Sequence, residues 1–458
     1  MSAHLSTPTT THLAPTPPGT SPLRGLWRAL TGDRLSQFVE LQRLYGDIVR
    51  FNVGGMWIHL IADPAMIKTI LLDNNKNYMK GMGLQRAKIV VGEGLLTSEG
   101  EFWRRQRRLA QPAFHRQHLA VFAEVMASSA ARLAQAWEAR AGTGVSFDVS
   151  AEMMRLTLDI VTRTLFTTAL DSADAQTIAN AFPPLLKAFE YRVALPFDWI
   201  EELPLPIVRR YKAHIADLDR VVNGIIAQRR RSGVNHPDLL GMFMQARDEE
   251  TGEQMSDKHL RDEVLTILLA GHETTANTLS WTWYLLAQHP TVVRKLQAEV
   301  DGVLAGRLPT ADDLPQLVYT RQIVDESLRL YPPAWIIARQ PLADDEVGGY
   351  HIPAGSTVIM SPYLVQRHPA YWDDPAAFRP ERFAAGWDRD RPRFVYFPFG
   401  GGPRLCIGNN FALMEATLIL ATLAQHYRLT LDPVHDVIPQ PALVLRPKNG
   451  VHMTLHHR

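Results

Sequence analysis

The chain has 458 residues, 46% of them hydrophobic and 21% charged, with a formal net charge of +1. These values allow a large buried core and exclude binding to nucleic acid or another acidic polymer through bulk charge. The single cysteine excludes an intramolecular disulfide.

From the N-terminus, Met1 to Thr20 is rich in Thr, Pro, Ser and His and has no apolar core segment. It reads as a disordered tail over residues 1–21, ahead of one folded domain over 22–458. Neither the basic start and apolar run of about 7–15 residues of a signal peptide nor an anchor of about 20 apolar residues occurs. The expectation is a cytoplasmic protein without a membrane anchor, which also suits an unpaired thiol. The stretches 47–53 and 56–61 alternate around Gly54-Gly55 as a hairpin, and Asp63-Pro64 opens a short helix. Amphipathic periods predict helices near 119–139, 151–170, 206–229, 257–288, 291–304 and 317–330. Further strands are expected at 357–360, 442–445 and 451–455. The pattern is mainly α with a small β region, without a repeat or an internal linker.

Several stretches carry chemistry. In Glu101 to Arg108, Trp103 and Arg107 share a helical face at i, i+4, and Arg104, Arg105 and Arg108 form a basic patch. The long helix over 257–288 contains Ala270-Gly271-His272-Glu273-Thr274-Thr275. Its small residues make either a packing notch or a groove where an acid and an alcohol can relay protons. Glu326 and Arg329 stand one turn apart, and Arg382 lies in the proline-bounded run Pro380-Glu381-Arg382-Phe383. Tyr331-Pro332-Pro333 ends that helix and turns the chain into an extended segment, Ala334 to Arg339. Last comes Phe399-Gly400-Gly401-Gly402-Pro403-Arg404-Leu405-Cys406-Ile407-Gly408, a tight loop before a buried helix beginning near Asn409. A cysteine alone reads as a small buried hydrophobe. Amide donors, a helix N-terminus and the Arg404 charge make this one a thiolate and a soft metal ligand. No Gly-Lys-Ser/Thr ends the glycine run, which disfavours a phosphate loop.

Phe399, Gly402, Arg404, Cys406 and Gly408 match the Phe-x-x-Gly-x-Arg-x-Cys-x-Gly signature, and the chain thereby resembles the cytochrome P-450 haem-thiolate monooxygenases of soluble bacterial type. Four motifs recur in that family's order between Trp103 and Gly408. The resemblance implies the single-domain P-450 fold, with haem b (iron protoporphyrin IX) between the long Thr-bearing helix and the Cys-loop helix. It makes Cys406 the axial iron ligand, places Trp103, Arg107, Arg339 and Arg404 at the propionates, and puts Ala270, Phe399 and Gly408 beside the haem. It assigns oxygen activation and proton delivery to Thr274 and Glu273, leaves His272 pointing away, and joins Glu326, Arg329 and Arg382 in a structural lock. Trp335, Ile336, Ile337, Val90, Val91, Ile267 and Ala270 become substrate-pocket positions, followed by Phe182, Leu186, Phe189, Leu443 and Val444; each of these can equally be plain core.

The implied reaction is hydroxylation or epoxidation of an apolar small molecule such as a fatty acid, terpenoid or steroid. About 50 residues follow Cys406, too few for a flavin reductase domain, so electrons are expected from ferredoxin or flavodoxin with its reductase. Arg104, Arg105 and Arg108 are the expected dock for that acidic partner. Rival readings are a peroxygenase, isomerase or dehydratase on the same haem, a haem-based sensor, and a thiol-nucleophile hydrolase with a histidine base.

Overall fold

A period of 3.6 residues governs most of the computed structural model, which describes residues 12–18, 21–25, 33–166, 172–194, 203 and 205–458. In chain order come helix α1 (Arg34–Tyr45), strands β1 (Ile48–Val53) and β2 (Met56–Ile61), helix α2 (Pro64–Lys68) and strand β3 (Tyr78–Lys80). Helices α3 (Lys88–Val91), α4 (Gly100–Ala110) and α5 (Arg116–Glu138) follow, then strand β4 (Ser146–Asp148). Next are α6 (Val149–Leu165), α7 (Ser172–Ala194), α8 (Pro206–Ser232), α9 (Asp257–Gln288), α10 (Pro290–Leu304) and α11 (Val318–Leu330). Strands β5 (Ile337–Pro341), β6 (Asp345–Val347), β7 (Tyr350–Ile352) and β8 (Thr357–Met360) precede α12 (Asn409–Ala424). Strands β9 (Tyr427–Leu431), β10 (Pro439–Pro441), β11 (Leu445–Pro447) and β12 (His452–His457) complete the chain.

The chain divides into two compact units. The first comprises residues 1–82, 334–377 and 386–406 and holds a five-stranded sheet of order β1-β2-β8-β5-β3. Gly54 and Gly55, with φ of 59° and 93°, form the turn between β1 and β2 that alternation predicts. Strand β8 pairs parallel with β2 and antiparallel with β5. Asp63 caps α2 by accepting from the Met66 N–H at 2.8 Å.

Most of the expected tail, residues 1–11 and 19–20, lies outside the described residues. Its middle part is a correction to the disorder expected there. The His12 N–H donates to the Gly349 carbonyl at 3.0 Å, and the Arg50 N–H donates to the Pro15 carbonyl at 2.9 Å. Unsatisfied edge groups of the sheet and of the β6–β7 hairpin thus hold a segment that composition alone leaves loose.

The second unit comprises residues 83–333, 378–385 and 407–458 and is mostly helical. Helix α9 packs along α6 and also meets α8, α11 and α12. From Leu413 to Ala424, α12 is buried without interruption, as its continuous apolar run requires. Strands β4, β12 and β9 form one antiparallel sheet, and β10 pairs with β11. Helix α7 carries Pro183 and Pro184 inside it. The strand expected over 442–445 is displaced: 442–444 form the hairpin turn, and pairing begins at Leu445. Among the described residues no helix is long and apolar enough to cross a membrane.

Candidate active site

Glycines decide the shape of the cysteine loop. Gly400 and Gly402 have φ of 73° and 64°. A Cβ on Gly402 would stand 1.8 Å from the Leu71 carbonyl oxygen, and one on Gly401 would stand 2.1 Å from the Phe394 ring. Any larger residue at either position forces the backbone apart. The loop closes as the Cys406 N–H donates to the Phe399 carbonyl at 3.0 Å, leaving the cysteine exposed. Gly408 precedes α12, whose first amides have no helical acceptor.

Two observations test the fit of a haem here. Gly408 has an ordinary φ of −90°, and no described atom lies within 4 Å of where its Cβ would be. The chain itself does not require a small residue there, whereas a flat macrocycle against the loop does. Among the described residues no cluster of three or more His, Cys, Asp or Glu is placed to hold a metal ion. A lone thiolate suits an iron whose other ligands come from a porphyrin. The residues present therefore fit the group.

The middle of α9, in the second unit, carries another group of the expected site residues. Its side chains are largely buried, yet Ile267, Ala270, Gly271 and Thr274, spaced i, i+3, i+4 and i+7, remain incompletely covered. They form one stripe of the helix. Gly271 serves packing, because a Cβ there would lie 3.2 Å from Val161 of α6. The Thr274 hydroxyl donates back to the Ala270 carbonyl at 2.6 Å. Next to this stripe Glu273 is 3% exposed. Burial pushes its carboxyl up to about 7; Arg446 opposes the rise and Glu190 adds to it. Arg446 Nη1 stands 3.5 Å from Glu273 Oε1 and 3.0 Å from Glu190 Oε1.

His272 turns toward α6. Burial lowers its imidazole to about 4 despite a hydrogen bond with the Met154 backbone, and the Thr157 hydroxyl donates to its carbonyl at 3.0 Å. Behind the stripe, Glu415 of α12 lies fully buried. Burial raises its carboxyl to about 8, which the Thr275 hydroxyl partly offsets.

Helix α4 buries Trp103 and leaves Arg107 partly covered. Between them Gln106 is 0% exposed, with neither amide atom hydrogen-bonded among the described residues. The expected basic dock is corrected by its neighbours. Arg104 pairs with Glu101, Arg105 pairs with Glu253 at 2.6 Å, and Arg108 pairs with Asp248 at 3.0 Å and Glu250 at 2.9 Å. Three arginines against four carboxylates make no positive patch for an acidic partner.

Val90 and Val91 are both 0% exposed and end at Gly92. The following loop is pinned to α9: the Glu93 N–H donates to Asp262 at 2.9 Å, and the Leu95 N–H donates to Glu263 at 3.1 Å. A Cβ on Gly94 would stand 2.1 Å from the Thr266 hydroxyl. Trp335, at 1%, packs its ring 5.8 Å from Phe38. Full enclosure gives Val90, Val91 and Trp335 to the core and corrects their expected place in the pocket lining. Ile267, Ala270, Ile336 and Ile337 keep uncovered surface. The side chains of Phe182 and Phe189 lie outside the described residues.

Glu326 is a fully buried acid in the second unit's core. Arg329 donates to it through Nε at 2.6 Å and Nη2 at 2.8 Å, the Arg379 N–H donates at 2.9 Å, and Arg382 Nε stands at 3.3 Å. All three side chains are nearly fully buried. In the first unit, Arg339 of β5 donates to the Ala338 carbonyl at 2.9 Å. Of the residues expected to hold the cofactor, Arg339, Phe399, Arg404 and Cys406 belong to the first unit, and Trp103, Arg107, Ala270 and Gly408 to the second.

The family model described as Cytochrome P450 matches residues 15–454. A cyclooctat-9-en-7-ol 5-monooxygenase from Streptomyces melanosporofaciens is 37% identical over 90% of this chain and 89% of its own length. A pentalenene oxygenase from Streptomyces avermitilis is 35% identical, covering 94% of each chain. The carotene epsilon-monooxygenase of Arabidopsis thaliana is 32% identical over 90% of this chain and 80% of its own. Among solved structures, a cytochrome P450DA haem domain superposes with a TM-score of 0.88 at 30% identity, covering 98% of both chains.

Proposed function

The chain belongs to the cytochrome P450 family and is a haem-dependent monooxygenase, and from that premise we propose that it oxidises a cyclic terpenoid with the residues assigned below. The observation that carries the assignment is the partly uncovered stripe of Ile267, Ala270 and Thr274 beside a buried acid on one helix. Bound haem b supplies dioxygen activation and the insertion of one oxygen atom into an apolar substrate.

The chain's own residues do the rest. Cys406 would hold the iron through its sulfur, as a thiolate favoured by the amides ahead of α12. Trp103, Arg107, Arg339 and Arg404 would meet the carboxylates of the group, and Phe399 and Gly408 would leave the loop room for its ring. Ala270 leaves room on α9. Thr274, whose own proton is directed to the Ala270 carbonyl, presents lone pairs that hold a water in place. Glu273, poised at about 7, supplies the proton to that water. Ile267, Ile336 and Ile337 offer apolar contact to the substrate. Glu326, Arg329 and Arg382 fix the core beneath. Electrons come from a ferredoxin or flavodoxin with its reductase, in the reducing cytoplasm that an unpaired thiol needs.

The named relatives favour a polycyclic hydrocarbon or its monohydroxylated derivative as substrate. A spectral screen of the holoprotein against cyclic sesquiterpenes, diterpene alcohols, fatty acids and steroids tests this. A Soret shift with the first two groups is expected. A shift confined to fatty acids or steroids overturns the substrate class.

A further inference from the structure

Arg446 lies in the short β10–β11 hairpin, far along the chain from any motif, yet its guanidinium reaches the acid of α9. We propose that Arg446 is a positioning residue for proton delivery, shared between Glu273 of α9 and Glu190 of α7 so that the hairpin and α7 together set the direction and charge of the Glu273 carboxyl. The proposal rests on the reading of Glu273 as the proton donor.

The geometry is that of one cation between two anions. Nη1 is 3.0 Å from Glu190 Oε1 and 3.5 Å from Glu273 Oε1, while Nη2 donates to Glu190 Oε2 at 3.4 Å. Nε donates to Gln440 Oε1 at 3.1 Å, so the plane of the fork is fixed by the neighbouring strand β10. Exposure falls inward, with side chains 33% exposed for Arg446, 20% for Glu190 and 3% for Glu273. The shorter contacts go to Glu190, and Glu273 receives what remains of the charge. The charged groups facing Glu273 are Arg446 from β11 and Glu190 from α7, whereas His272 on α9 itself faces α6 and is neutral.

The two partners therefore act with opposite sign. Removing the Arg446 charge leaves a buried carboxyl beside a second acid, and its proton is held more tightly. Removing the Glu190 charge turns the whole guanidinium to Glu273 and loosens that proton. A structural defect moves both in one direction or in none.

Infrared difference titration of the holoprotein between about pH 5 and 9 reads the carboxylic C=O stretch, and the band that Glu273→Gln removes identifies the residue. In the unsubstituted protein its midpoint is expected near 7. Arg446→Met is expected to raise the midpoint by about one unit, Arg446→Lys to restore most of it, and Glu190→Gln to lower it. The proposal is overturned if no titrating band disappears with Glu273→Gln, or if Glu190→Gln leaves the midpoint unmoved or raises it. Should Arg446→Met fail to fold, Glu190→Gln alone decides. The role of Glu273 is checked separately: if Glu273→Gln does not increase peroxide release at the expense of product, that role fails whatever the band does.

Discussion

Two side chains carry predictions of their own. Cys406 is exposed at the end of a loop whose backbone is fixed by Gly400 and Gly402, so a serine there keeps the fold while removing the soft anion. Cys406→Ser is expected to lose the long-wavelength carbon monoxide band of a thiolate-ligated haem; measuring the reduced, carbon monoxide-treated protein decides it. Glu273 gives a pH dependence with a definite sign. Its folded value is raised by burial to about 7, so the proton it would donate in the proposed role is present below that pH and depleted above it. The fraction of reducing equivalents released as peroxide should rise as pH passes upward through 7, and Glu273→Gln should flatten the profile. Cys406, Glu273 and Thr274 stood out in the sequence because each sits in a short stretch of characteristic residue types. Glu190, Arg446 and Gln106 were not, because single polar residues in ordinary contexts reveal their contacts only after the chain has folded.

At the scale of elements, strong periodicity made α9 legible to the residue, since a 32-residue run between Ser256 and His289 needs no tertiary help to declare itself. Helix α7 escaped notice because Pro183-Pro184 reads as a break, yet Ala188 packs with Val208 and Tyr211 of α8 and holds the segment helical. The C-terminal hairpin slipped by three residues because Pro441 and Pro447 restrict which backbone groups can pair. The cysteine loop was recognisable from its glycines, but the partner they approach was not: Gly402 meets the Leu71 carbonyl, in the π-helical turn Thr69–Asp73. Gly402→Ala combines an unfavourable positive φ, worth about 1–2 kcal/mol, with a backbone clash. Lower thermal stability and reduced haem content are expected together, measured by melting and by the ratio of Soret to protein absorbance.

For the whole molecule, the helical class with a small β region was legible from composition and period, whereas the division of sheet and helices into two compact units was not. Contacts between distant segments, such as β2 beside β8, leave no local trace in the chain. The lock around Glu326 joins α11 to the 378–385 segment, and its charges are enclosed together. Glu326→Ala strands the buried Arg329 without its carboxylate, a loss of about 3–5 kcal/mol. Purified Glu326→Ala should contain little haem and melt earlier; full occupancy with unchanged melting would remove Glu326 from that role.

The paired prolines of α7 have a mechanical consequence for the charge arrangement at its far end. Pro183 and Pro184 offer no N–H, so the carbonyls of Ala179 and Asn180 lack their usual helical donors, and bending there breaks no further bond of the helix. Glu190 lies less than two turns beyond that hinge. Any tilt of the outer half of α7 would swing Glu190 as the arm of a lever, redistribute the Arg446 charge, and so change the hold on the Glu273 proton in the middle of α9.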